Sequence, residues 1–161
     1  SARLSTRGAE MTDAPKSAST MTPQELAEAC AAAMWADDLA SQRLGMKLVS
    51  VSPGKATLAM EIVESMANGH GDCHGGYTFA LADSAFAFGC NSFNQRVVGQ
   101  QANITYLAPV SVGDVLTATG HEKFRKGRSG VYDIEVTNQR GDLVAVFRGH
   151  SRTIKGTHLP E

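Results

Sequence analysis

"NGHGDCHGGYTFALADSAFAFGC", residues 68 to 90, decides how this chain folds. It opens with glycines, histidines and a cysteine, then becomes an apolar run that keeps one charged residue, Asp83, in its middle. From Gly75 to about Ser92, apolar side chains fall on nearly every side of a helix: Phe79, Leu81, Ala82, Ala85, Phe86 and Phe88. A helix without a broad polar face must be covered by protein on most sides. In that setting a buried, unpaired carboxylate loses much of its hydration energy and its pKa rises. Asp83 therefore has two readings. It is a carboxylate satisfied by local hydrogen bonds or placed at a subunit edge, or it is a catalytic base or nucleophile that gains from limited solvation.

The residues just before it bear on the choice. His74, Gly75 and Gly76 stand where the helix begins, where backbone N–H groups are unpaired and carry the positive end of the helix dipole. Glycine there lets a ligand carbonyl approach closely, as an oxyanion site requires, although glycines at a helix start also serve simply to make the turn. Gly75 and Asp83 are eight residues apart, about 12 Å along a helix. One carbonyl needs its donors and its attacking group each at about 3 Å. If the two residues cooperate, the carboxylate comes from a second chain. Two such helices running antiparallel across a two-fold axis then form two equivalent shared sites.

Working outward, "MKLVSVS", Pro53-Gly54 and "KATLAMEIV" read as a hairpin before the helix, and "GQQANITYLAPV", "DVLTATGHEKF", "GVYDIEVTNQ" and "DLVAVFRGHSRTI" as four strands after it. Gly113, Gly127, Gly130 and Gly141 mark the breaks. Thr22-Pro23 opens an earlier helix that runs to Gly45, with Leu26, Cys30, Met34 and Leu39 on one face. Asp37 and Asp38 in it read as a solvated pair without a role. Helix, two strands, helix and four strands imply an α+β domain: a curved antiparallel sheet around a long central helix. Residues 21 to 157 are expected to form this single domain, after a disordered leader at 1 to 20 and before a short tail at 158 to 161.

Composition agrees with one compact domain: 161 residues, 42% hydrophobic. Fifteen basic residues against sixteen acidic ones, a net charge of -1, supply no general field for nucleic acid or an anionic membrane. Cys30, Cys73 and Cys90 make no paired framework, and their reduced state suits a cytoplasmic protein. No apolar run is long enough to span a membrane, and no signal peptide is apparent. His70, Asp72, Cys73 and His74 lack the second cluster that a metal site would need. No G-x-S-x-G elbow is present.

The stretch from Asn68 to Ser92 closely resembles the signature of the PaaI-type acyl-CoA thioesterases of phenylacetate degradation, a branch of the hotdog-fold superfamily. The likeness continues through "NITYLAPVSVGDVLTATG", "GVYDIEVTNQ" and "VAVFRGHSRTI" and covers about residues 24 to 155. It implies the hotdog fold, a homodimer with shared sites that usually pairs into a homotetramer, and hydrolysis of a CoA thioester. Phenylacetyl-CoA, hydroxyphenylacetyl-CoA or a related aromatic acyl-CoA is the implied substrate. No metal or redox cofactor is implied, since coenzyme A belongs to the substrate.

By the same resemblance Asp83 is the attacking carboxylate or general base, and the Gly75 N–H polarises the thioester oxygen, with Gly76 beside it. Asn68 orients water or thioester from the partner chain, His74 shapes the turn, and Ser84 holds a water. Where hotdog relatives carry a Ser or Thr near the start of the third strand, this chain reads "VVGQQAN", so nucleophile and base both stay open. The basic hairpin "KFRKGRSG" offers Arg125, Lys126 and Arg128 to the CoA phosphates, or is an ordinary solvated turn. Two other functions compete: a non-catalytic acyl-CoA-binding module, and an acyl-CoA hydratase or dehydratase.

Overall fold

Two helices come first in the computed structural model, which describes residues 14–161. Most of the leader expected at 1 to 20 lies outside these described residues. Of the remainder, Ala18–Thr20 form one 3₁₀ turn, and Lys16 pairs with Glu25 at 2.8 Å. Helix α1 spans Pro23–Asp37, with proline in the first turn and the Thr22 side chain accepting from Glu25 N. The expected single helix to Gly45 breaks at Asp38, whose ψ of 74 is not helical, and restarts as α2, Leu39–Arg43. Asp38 is not the idle surface carboxylate that the sequence suggests. It accepts from Ser41 N at 3.0 Å and Ser41 Oγ at 2.6 Å, which caps α2.

Strands β1 (Lys47–Ser52) and β2 (Lys55–Glu61) flank the Pro53-Gly54 turn. Gly54 sits at φ 71, the left-handed region that favours glycine. The long helix α3 covers Gly75–Cys90. Then follow β3 (Val97–Tyr106), β4 (Val115–Lys126), β5 (Ser129–Thr137) and β6 (Leu143–Thr153). All pair antiparallel in one six-stranded sheet of order β1-β2-β4-β5-β6-β3. The alternation of buried and exposed residues along β2, β4, β5 and β6 gives the sheet one core face.

Against that face α3 buries Leu81, Ala82, Ala85, Phe86, Phe88 and Cys90, while Phe147, Tyr132 and Ile134 come up from the sheet. One glycine lets helix and sheet approach this closely: a Cβ on Gly149 would stand 2.7 Å from the Phe86 ring. Gly149→Ala should therefore overpack the core and destabilise the fold by about 1–3 kcal/mol, read as a lower urea midpoint with unchanged slope.

The tail expected at 158 to 161 is anchored at its start. Asn94, at φ 56, accepts from the backbone N–H groups of His158 and Leu159 at 3.1 and 2.9 Å. The His158 ring reaches Asn91 Oδ1 at 2.8 Å. Asn91 Oδ1 also accepts from Val97 N while its Nδ2 donates to Ala87 O, so the His158 Nε2 is the donor.

Candidate active site

The side of α3 turned away from the sheet is only partly covered. Gly76 and Asp83 are exposed and Ala80 and Ala87 half-buried, at helical spacings of four, three and four residues, so they form one stripe. The expectation of a helix enclosed on most sides, with Asp83 buried, is corrected: in the single protomer Asp83 is exposed. Partial desolvation by the surrounding protein still raises its pKa above the ordinary carboxylate value of 3.8. The pattern misled because small apolar residues here line an open face rather than a packed one.

The turn into α3 is almost fully hydrogen-bonded. Cys73 N donates to Val110 O at 2.7 Å, His74 N to Met66 O at 2.8 Å and Tyr77 N to His74 O at 3.0 Å. The His74 Nδ1 accepts from Gly76 N at 3.0 Å, which makes His74 the N-cap. Among the backbone N–H groups of residues 73 to 77, only that of Gly75 finds no acceptor among the described residues. One donor at the positive end of a helix of 16 residues is thus left for a ligand.

Asn68 closes the loop before this turn. Its Oδ1 accepts from His70 N at 2.8 Å and Asp72 N at 3.3 Å, while its own N–H donates to Asp72 O at 2.7 Å. The Asn68 carboxamide oxygen is therefore engaged in its own loop, and its NH2 remains for other partners. Gly76 contributes its N–H to His74. The Ser84 hydroxyl meets Ser41 Oγ at 2.9 Å, in a chain that ends on Asp38, so it faces α2.

The basic hairpin lies at the other end of α3. Arg125 stacks on Phe93, three residues past the helix, at 3.7 Å from the ring centroid and 3.4 Å from Glu122. Arg128 donates to Thr153 O at 3.1 Å, and Lys126 is exposed. Towards the same end of the helix lies a groove of about 500 Å³, lined among others by Met34, Ala87, Asn91, Arg96, Val97 and His158. Ala87 is one helical turn beyond Asp83. A further concavity of about 410 Å³ lies on the outer face of the sheet, where Asp133 and Arg148 neutralise each other at 2.6 Å. It has neither the carboxylate nor the free helix donor.

Among the described residues, no three His, Cys, Asp or Glu side chains converge on a common point that would hold a metal ion. The cysteines are buried, and burial pushes the Cys73 thiol up and the Cys90 thiol up to about 12, which keeps both protonated and unreactive. No described helix is long and apolar enough to cross a membrane.

Two features of the site escape a reading of the sequence. Tyr106, the last residue of β3, donates its hydroxyl to Gly75 O at 2.8 Å from 31 residues away. The groove wall formed by His158 and Arg96 depends on the chain end folding back over the end of α3. Neither contact has a local signal, since both join segments distant in sequence.

Comparison with known proteins agrees with this geometry. Residues 70–145 match the model of the thioesterase superfamily. The chain is 43% identical to the acyl-coenzyme A thioesterase PaaI of Escherichia coli (strain K12) over 125 residues, 78% of this chain and 89% of that protein. The solved structure of the E. coli PaaI protein, from the phenylacetic acid degradation operon, superposes with a TM-score of 0.83 at 41% identity, covering 84% of this chain and 99% of the other. The structure of smu.793 from Streptococcus mutans UA159, bound to acetyl CoA, gives 0.66 at 29% identity over 70% of this chain and 90% of its own.

Proposed function

The chain belongs to the thioesterase superfamily, with the hotdog fold, and is an acyl-CoA thioesterase of the PaaI type; from that premise we propose that Asp83 and the Gly75 N–H of a partner protomer together hydrolyse an arylacetyl-CoA. The observation that carries this reading is the pairing on one helix of a single unclaimed N–H donor and a carboxylate on an open, small-residue stripe. The two groups are about 12 Å apart along α3, too far to serve one carbonyl from the same chain.

A second α3 fits the requirement. Gly76, Ala80 and Ala87 let another helix come close, and antiparallel packing sets each Asp83 opposite the partner's helix start. The edge strand β3 supports the same arrangement. It is 10 residues long, contains neither proline nor lysine, and among the described residues hydrogen-bonds to β6 on one side only. Such an edge is a template for pairing with another chain. A pair of dimers then makes the homotetramer.

In the reaction, the thioester oxygen accepts from Gly75 N–H as the carbonyl carbon becomes tetrahedral. Asp83 takes a proton from water whose oxygen attacks that carbon, or attacks the carbon itself and is released by water in a second step. The C–S bond breaks, the thiolate is protonated, and free coenzyme A and a carboxylic acid leave. Asn68 orients water or thioester through its NH2. His74 shapes the turn through its bond to Gly76 N, next to the peptide that presents the Gly75 N–H. Lys126 and Arg128, with Arg125 on Phe93, attract the CoA phosphates. Ser84 acts through Ser41, holding the helix beside Asp83. No metal or redox cofactor takes part.

The test is thiol release from a panel: phenylacetyl-CoA, hydroxyphenylacetyl-CoA, benzoyl-CoA, and short and long aliphatic acyl-CoAs. An arylacetyl thioester should give the highest kcat/KM, at least tenfold above palmitoyl-CoA. Preference for the long aliphatic chain would discard the aromatic assignment while leaving the thioesterase in place.

A further inference from the structure

Tyr106 has no part in the reaction just described, yet it is the side chain built against the Gly75 turn. Its backbone is held in the sheet, in register with Ala145 on β6, and the next residue donates Leu107 N to Val144 O at 2.9 Å. From this fixed base the ring extends to the start of α3. There the hydroxyl donates to Gly75 O at 2.8 Å. The ring also occupies the space where a side chain at 75 would stand, with Cζ 2.8 Å and Oη 2.9 Å from an ideal Cβ. About half of Tyr106 remains exposed, 51%, so the ring also borders the open side of the turn.

The arrangement solves a mechanical problem. Glycine at the first position of a helix is the residue with the most backbone freedom, and the first turn of any helix is its least constrained. An oxyanion donor accelerates a reaction only when it is aligned before the charge develops. The peptide that carries the Gly75 N–H is held at its other end, where His74 O accepts from Tyr77 N, and the next peptide is held at its N–H by the His74 ring; at that peptide's carbonyl, Gly75 O, Tyr106 is the one side chain that bonds among the described residues. Burial raises the phenol pKa above its usual value, with a smaller push from Cys73, so the hydroxyl stays protonated as a donor.

We propose that Tyr106 is a positioning residue for thioester hydrolysis: it ties the Gly75 carbonyl to the sheet edge and closes the space above its Cα, which aligns the Gly75 N–H on the developing oxyanion. The inference rests on Gly75 being the donor. It also accounts for the small residue at position 75 independently of any ligand, since a Cβ there meets the Tyr106 ring unless that ring moves.

Three variants test it: Tyr106→Phe, which keeps the ring and removes the hydroxyl, Tyr106→Leu, which removes both, and Gly75→Pro, which removes the N–H at a helix position that tolerates proline. In Tyr106→Phe, kcat should fall roughly three- to tenfold with KM changed less than twofold, the loss of one hydrogen bond's alignment. Binding of a non-hydrolysable thioether analogue of the best substrate should not change. Tyr106→Leu should lose more, yet Gly75→Pro/Tyr106→Leu should be no slower than Gly75→Pro alone, because Tyr106 acts through the missing N–H. Losses that multiply in the double variant, or a Tyr106→Phe enzyme with wild-type kcat beside a slow Gly75→Pro, would overturn the role of Tyr106 and leave Gly75 as donor. A Gly75→Pro enzyme with wild-type kcat, folded and at wild-type oligomeric state, would overturn the donor and Tyr106's role with it.

Discussion

Asp83→Asn should reduce kcat by about a hundredfold to ten-thousandfold, the range associated with losing a positioned base, and leave the protein folded. Asparagine matches aspartate in shape but can neither accept the proton nor form an acyl intermediate. KM should move little, because the carboxylate acts on the attacking atom and not on the coenzyme. The raised pKa of Asp83 sets the pH dependence. In the wild type kcat should climb as the carboxylate ionises, with its acid limb centred above 3.8, and that limb should be absent from the residual rate of the variant.

The stability effect has the opposite sign from a salt-bridged aspartate. Because the folded pKa lies above the unfolded one, the folded chain binds the proton more tightly, and Asp83 lowers stability as pH rises through this interval. At neutral pH Asp83→Asn should thus melt no lower than wild type. A variant that loses activity together with melting temperature would assign Asp83 to structure. A folded variant with undiminished turnover would remove it from the reaction. Single turnover in 18O-labelled water, followed by mass analysis of the protein, identifies the nucleophile: label in Asp83 means that the carboxylate formed an anhydride which water opened at the aspartyl carbonyl.

Much of this fold is legible in the chain itself, and the features that are not share one cause. The six strands, the positive-φ turns at Gly54, Gly127 and Gly141, and the start of α3 at Gly75 are local features with local signals. Period-two alternation and a glycine-rich cap need no partner to be recognised. What the pattern does not convey is which partner covers an apolar surface. Phe86 and Ala87 are both apolar, but one is buried beneath the sheet and the other lines a groove. The same ambiguity makes Asp83 read as buried, when its stripe is open in the protomer. Ser84 reads as a neighbour of Asp83, but adjacent helical residues point in different directions, and its hydroxyl joins Ser41 and Asp38. Tyr106 gives no sign in the sequence because its importance lies in a contact between strand end and helix start. Even so, the two residues that matter most for the proposed chemistry, Gly75 and Asp83, stand out in sequence as chemically unexpected choices for their positions.

Gly75→Pro should lower kcat by about a hundredfold to a thousandfold, the typical loss of one oxyanion donor. The substitution suits its site. Proline is favoured at the first helical position, and His74 already has the extended backbone, φ -61 and ψ 129, that a residue before proline prefers. The Tyr106 ring stands where the new side chain must go, but it is half-exposed and can swing outward, and the Tyr106→Leu background supplies the room directly. Combined with Asp83→Asn, the same variant reveals whose helix supplies which group. In a shared-site dimer, a mixed pair of one Asp83→Asn chain and one Gly75→Pro chain contains one site with both defects and one with neither. Random exchange of equal amounts places half of the chains in mixed pairs, each with one intact site of two, so activity should return to about a quarter of wild type. If Gly75 and Asp83 acted within one chain, every chain in the mixture would carry a defect and nothing would return. Two nearly inactive proteins that become active on mixing would therefore establish that each site draws its donor and its carboxylate from different protomers.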